Sequence, residues 1–166
     1  MRFLKVFFIL FITLSMLNGC LFKKKKSNDS ALYGTDTPLV DFPLDSFYSP
    51  IGEESAIFRD IHFNYNSYEI NAEERSIIEP IISWMQENNA SHLLVEGHCD
   101  ERGSNEYNLA LGEQRALAVR QYIIDSGIHS GKVQTISYGE ELPADPGHDE
   151  GAWRANRRAR FLISNG

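Results

Sequence analysis

Residues 97 to 103 read Gly-His-Cys-Asp-Glu-Arg-Gly, packing an imidazole, a thiol, two carboxylates and a guanidinium into seven positions. Three kinds of chemistry could use such a stretch. His98 and Asp100 alternate along an extended segment, and with His148 and Asp149 they could ligate a hydrolytic metal. Cys99 could act as a nucleophile, although no spacing in the chain places a base against it. Asp100 could instead grip a cationic group, with the flanking glycines permitting a tight turn.

A second charge belongs with this stretch. Asn108, Leu111, Gly112, Arg115, Val119 and Ile123 recur every three or four residues and so share one helical face, which places an arginine inside an otherwise core-like stripe. An unpaired buried guanidinium is costly. Arg115 therefore snorkels, pairs with a carboxylate, or points into a cleft that takes an anionic ligand. A carboxylate and a guanidinium held apart across a gap would suit a zwitterion, Asp100 taking an ammonium and Arg115 a carboxylate. Arg115 stands ten residues into a helix starting at Asn105, roughly 15 Å along it, so the turn must fold back over the helix for the two to meet.

The elements that would position these residues follow from periodicity. Ile61 to Tyr65 alternates as a half-buried strand. Asn71 and Glu74 form a capping-box pattern ahead of a stripe of Ile78, Ile81, Ile82 and Met85, and Pro80 inside that stripe predicts a kink or break. His92 to Glu96 reads as a second strand ending at the charged stretch. Asn105 to Ser126 is a helix closed by Gly127, Lys132 to Tyr138 a third strand, Asp149 to Arg154 a short helix capped by Asp149, and Arg158 to Ile163 a fourth strand. The order β-α-β-α-β-(α)-β predicts an α/β sandwich, helices covering a small sheet of about four strands. The segment falls after the carboxyl end of a strand, where open α/β sheets place their ligand crevice.

The 166 residues suffice for one core plus a leader. Arg2 and Lys5 precede an apolar run from Val6 to Leu17, the pattern of a secretion signal over residues 1–19. The run ends in Leu17-Asn18-Gly19-Cys20, which resembles the lipobox of bacterial lipoproteins and makes Cys20 the candidate acylated residue. Removing Arg2 and Lys5 from the 16 basic residues leaves 14 against 23 acidic ones, a net charge of about −9 that argues against nucleic acid as partner. Lys23 to Lys26 suit a stub beside anionic headgroups. Leucine rather than aspartate at position 21 lacks the usual inner-membrane retention signal of such lipoproteins, so an outer-membrane destination is expected. Residues 20–55, with Pro38, Pro43 and Pro50 and no sustained period, read as a tether, and residues 56–166 as the folded domain. With Cys20 acylated, Cys99 is the only thiol left and no internal disulfide can form.

The stretches GHCDERGSNEYNLALGEQRALAV, SYGEELPADPGHDE and NRR resemble the peptidoglycan-associated lipoproteins of the OmpA-like family, over about residues 57 to 163. The resemblance implies an OmpA-like sheet-and-helix fold, no enzymatic activity and no cofactor. It implies noncovalent binding of peptidoglycan through the meso-diaminopimelate of the stem peptide, Asp100 and Arg115 matching the family's aspartate and arginine. It places Phe63 and Asn64 at the lip of the cleft, with Asn108 and Leu111 lining or shaping it. Asn64 and Asn66 stand where the family often has aspartate, and Cys99 where it usually has alanine or threonine. Partners implied by resemblance are the Tol proteins, TolB and TolA, acting with an outer-membrane lipoprotein during envelope constriction, so a periplasmic protein-interaction module is a second reading.

Two further expectations come from the residues. Among Arg154, Arg157, Arg158 and Arg160, Arg158 is the candidate to face the cleft. Glu101 and Arg102 are expected to form a solvated pair worth little.

Overall fold

The computed structural model describes residues 42–165; the expected leader, Cys20 and the first part of the tether lie outside them. The chain forms β1 (Ile61–His62), β2 (His92–His98), β3 (Val133–Gly139) and β4 (Arg158–Ser164), with helices α1 (Glu54–Ile57), α2 (Ala72–Glu87), α3 (Asn105–Asp125) and α4 (Glu150–Asn156) between and before them. The sheet order is β1-β4-β2-β3. β4 runs antiparallel to both neighbours, while β2 and β3 are parallel and joined through α3, as a parallel pair requires a crossover. The predicted element order and the mixed four-stranded sheet are both present. Among the described residues no helix is long and apolar enough to cross a membrane.

Alternation along β2 sends Leu93 and Val95 into the core, where α2 contributes Ile78, Ile81, Ile82 and Met85, and α3 contributes Ala116, Val119 and Ile123. Apart from Ala116, each of these buried side chains contributes on the order of 1.5–3 kcal/mol by leaving water. Leu94, Glu96 and His98 alternate to the other face. There Glu96 is reached by Arg160, and the His98 ring stacks on Tyr138 with centroids 5.7 Å apart.

Four local expectations are corrected. Helix α2 runs unbroken through Pro80, because that residue sits on the exposed side, where solvent can meet the Ser76 carbonyl left without an intrahelical donor. Its capping box is only half formed. Asn71 accepts from the Glu74 amide, but the Glu74 carboxylate accepts from the His62 amide and so ties α2 to β1. The first strand is two residues long, since beyond His62 the backbone turns off β4 to form the cleft wall, with Phe63 N–H donating to Arg157 O.

The fourth correction concerns the tether, whose expected end at residue 55 falls inside the folded unit. Tyr48 bridges Ile163 on the edge of β4 that the short β1 leaves open, Phe47 is buried, and the Phe42 ring lies against His92. Proline content hid these contacts, because an edge segment tolerates proline and needs no sustained alternation.

Candidate functional site

The sheet and α3 come into close backbone contact at Gly97 and Gly112. A Cβ on Gly97 would lie 1.9 Å from the Gly112 carbonyl oxygen, and one on Gly112 would lie 2.9 Å from the Gly97 oxygen. Asp100 follows the first glycine by three residues and Arg115 the second by three. This contact lets the strand end fold back over the helix, removing the separation that residue spacing alone suggested. The turn is then pinned by Asn108, whose side-chain amide donates to the carbonyls of Asp100 and Arg102 and to the Glu140 carboxylate. Asn108 is buried and shapes the cleft.

Arg115 is completely buried. Its Nε donates to Ser67 O at 2.9 Å, one terminal nitrogen donates to His98 O at 2.7 Å and to Cys99 Sγ at 3.3 Å, and the other donates to Asn64 O at 3.3 Å. The guanidinium lies 5.1 Å above the Phe63 ring. Burial lowers its pKa, opposed in part by the Asp100 charge. Phe63 and Asn64 thus support Arg115, through the ring face and a backbone oxygen, without lining the cleft, whereas Leu111 lines it. Cys99 lies beneath, its Sγ also reaching the Asn108 carbonyl oxygen, and burial pushes the thiol up to about 11, a protonated group unsuited to nucleophilic attack.

Asp100 is also buried, its side chain 4% exposed. Oδ1 accepts from the Arg102 amide and Nε, at 3.1 and 3.2 Å, and Oδ2 accepts from Arg102 at 2.8 Å and from Arg157 at 3.1 Å. Burial alone would raise the carboxyl's pKa, but these hydrogen bonds outweigh it and hold it below the usual value. Glu150 closes the arrangement, accepting from Arg157 at 2.8 Å and lying 3.5 Å from Arg102. The four side chains form a ring of alternating charge.

The expected pairing of Glu101 with Arg102 is not formed. Arg102 turns inward to Asp100 between the Tyr65 and Trp153 rings, each about 4.2 Å from its guanidinium carbon. Glu101 instead accepts from Trp153 Nε1 and contacts His148 at 2.8 Å. Arg158, expected at the cleft, points elsewhere, pairing with Asp60 at 3.2 Å and donating to Leu142 O. Arg157 takes its place: it precedes β4, so its side chain reaches Asp100 and Phe63 O, while Arg158 alternates to the other face of the sheet.

His98 and Asp100 do not converge: the imidazole faces Tyr138, whereas the Asp100 carboxylate turns to Arg102 and Arg157. Among the described residues no three His, Cys, Asp or Glu side chains gather as a metal site. Asp149 caps α4 through the Ala152 amide. The reading of residue types missed Tyr65, Asn66, Arg102, Tyr107 and Arg157 as cleft walls. The aromatic residues beside the charged turn and at the start of α3 were the available signal. Tyr107 donates across the mouth to Asn66 Oδ1, and the space enclosed is about 10 Å³.

A small mixed sheet with α3 crossing from β2 to β3, and a charged cleft at the end of β2, match the OmpA family model over residues 62–158. The chain belongs to the OmpA family, and relatives spanning nearly its whole length are peptidoglycan-associated lipoproteins. That of Mesorhizobium japonicum is 35% identical over 94% of this chain and 90% of its own. That of Haemophilus influenzae is 44% identical over 61% of this chain and 67% of its own. The crystal structure of the peptidoglycan-associated lipoprotein from Burkholderia pseudomallei superposes with a TM-score of 0.62 at 35% identity, covering 64% of this chain and 90% of that one.

Proposed function

We propose that this chain is a lipoprotein of the outer membrane, not an enzyme, whose folded domain binds peptidoglycan noncovalently and so tethers membrane to wall. The ligand is the meso-diaminopimelate of the stem peptide, whose free end is a zwitterion. Asp100 takes its ammonium, and the Arg115 side supplies positive potential for its carboxylate. Phe63, Asn64, Asn108 and Leu111 support or line the cleft, and Arg157 holds Asp100 in place. One observation carries this reading: Asp100 and Arg115 line a single cleft, yet among the described residues no ion pair joins them. Opposite charges are thereby presented side by side to a ligand that carries both.

Relatives named as peptidoglycan-associated lipoproteins support the wall as the target, and the lipobox-like Leu17 to Cys20 supports acylation at Cys20. A partnership with Tol proteins in envelope constriction belongs to the same proposal. Calorimetric titration of the full-length protein in detergent, with a stem peptide containing meso-diaminopimelate and a lysine-containing control, tests the ligand. Binding that prefers diaminopimelate and weakens at least tenfold in Asp100→Asn is expected. Folded protein that binds neither peptide, or both equally, overturns it.

A further inference from the structure

We infer that Arg102 is a latch on the cleft: its guanidinium occupies the position on Asp100 that a ligand's ammonium must take, and it swings out when the ligand binds. The inference rests on the binding reading above and concerns the regulation of that same site.

The geometry leaves no room for an alternative entry. Among the described residues the donors on the Asp100 carboxylate come from Arg102 and Arg157, two on each oxygen. The remaining cavity, about 10 Å³, holds roughly one water. An ammonium reaching Asp100 must therefore displace one of the two guanidiniums, since a third cation on one carboxylate would be repelled by the pair already there.

Anchoring decides which one leaves. The Arg157 side chain is 7% exposed and also donates to the buried Phe63 carbonyl, so removing it would strand a carbonyl and disturb the start of β4. The Arg102 side chain is 30% exposed and donates to no carbonyl among the described residues. Its other contacts are the exposed Glu150 carboxylate and the two rings that sandwich it, all at the surface. Arg102's own backbone N–H stays on Asp100 Oδ1 whatever the side chain does, so the carboxylate keeps its orientation as the latch opens.

The Tyr65 and Trp153 rings give the closed position its definition, stacking on both faces of a planar cation while Asp100 takes its edge. Arg102 thus mimics a cationic ligand from within the chain. A ligand bearing only a carboxylate has nothing to offer Asp100 in exchange, so the latch also selects for ligands with an ammonium. A lysine in place of diaminopimelate brings an ammonium but no carboxylate beside it.

The test uses full-length protein with Trp84→Phe, which leaves Trp153 as the single indole, titrated with the diaminopimelate stem peptide. Arg102→Ala and Arg102→Gln are compared with the parent, Gln retaining part of the side-chain packing should Ala fold poorly. Both variants are expected to bind on the order of tenfold more tightly, with faster association, because no internal cation has to be displaced. Trp153 emission should change on binding in the parent and far less in the variants. Tighter variants with a parent too weak to measure would also support the latch. Equal or weaker binding by folded variants overturns it, weaker binding making Arg102 a ligand contact. No binding by the parent or by either variant overturns the cleft reading and the latch together.

Discussion

Gly97 on β2 and Gly112 on α3 touch backbone to backbone, and Asp100 and Arg115 each follow their glycine by three residues. The cleft is a product of that contact, since strand and helix must be this close for the turn after β2 to lie over the third turn of α3. The Gly97 position has no slack: the nearest atoms to a new methyl belong to backbone, which cannot rotate aside as a side chain would.

Gly97→Ala is accordingly expected to destabilise the domain by about 3 kcal/mol or to prevent folding, as strand and helix are forced apart. Gly52, where no atom of the described residues lies within reach of a Cβ but φ is +63°, should cost far less on conversion to alanine. Urea denaturation of the two variants checks this. Equal small losses would show that the strand–helix contact is not the constraint described.

Arg115→Ala should cost on the order of 3 kcal/mol in stability before any ligand is considered. It leaves the carbonyls of Ser67, His98 and Asn64 without this donor and opens a cavity over Phe63. Arg115→Lys should recover only part, because one ammonium cannot span acceptors on three sides. Denaturation curves measured beside binding separate the two roles. A loss under about 1 kcal/mol for Arg115→Ala would mean that its structural share is small.

The Asp100 carboxyl lies below its usual pKa in the folded protein, so it contributes stability above the unfolded value of about 3.9, and that contribution disappears as pH falls through the lower folded value. The stability difference between wild type and Asp100→Asn should be constant above about pH 5 and shrink below about pH 4. Asp60 acts with the opposite sign, because burial raises its carboxyl despite the neighbouring Arg158, but it is common to both proteins and cancels. Thermal melts from pH 3 to 7 read this directly. A difference that grows on acidification would contradict the arrangement around Asp100.

Cys99, buried and pushed up to about 11, should resist thiol reagents at pH 8 in the native state of a Cys20→Ser variant and react fully once denatured. Labelling followed by mass spectrometry distinguishes the states. Fast native labelling would require the cleft floor to open.

Much of this was legible in residue order, because secondary structure here follows local rules. The stripe of Ile78, Ile81, Ile82 and Met85, the alternation in β2 and β3, the Asp149 cap and the Gly127 stop each depend on neighbours a few positions away. The motif around Asp100 and Arg115 likewise named the two charges of the cleft. What the order of residues left open was direction and partnership. Arg157 and Arg158 are adjacent and identical in type, and only the point where β4 begins sends one to Asp100 and the other to Asp60. Arg102 looked like a solvent-facing partner of Glu101 until Tyr65 and Trp153, 37 residues before and 51 after it, were brought to its two faces. Arg115 could have sought a carboxylate, but it met backbone oxygens converging from the β1–α2 segment and β2. Local propensity and hydrophobic period decide what each segment becomes. Which charges meet is decided by distances between segments far apart in the chain, and those exist only once the sheet and α3 have closed on each other at Gly97 and Gly112.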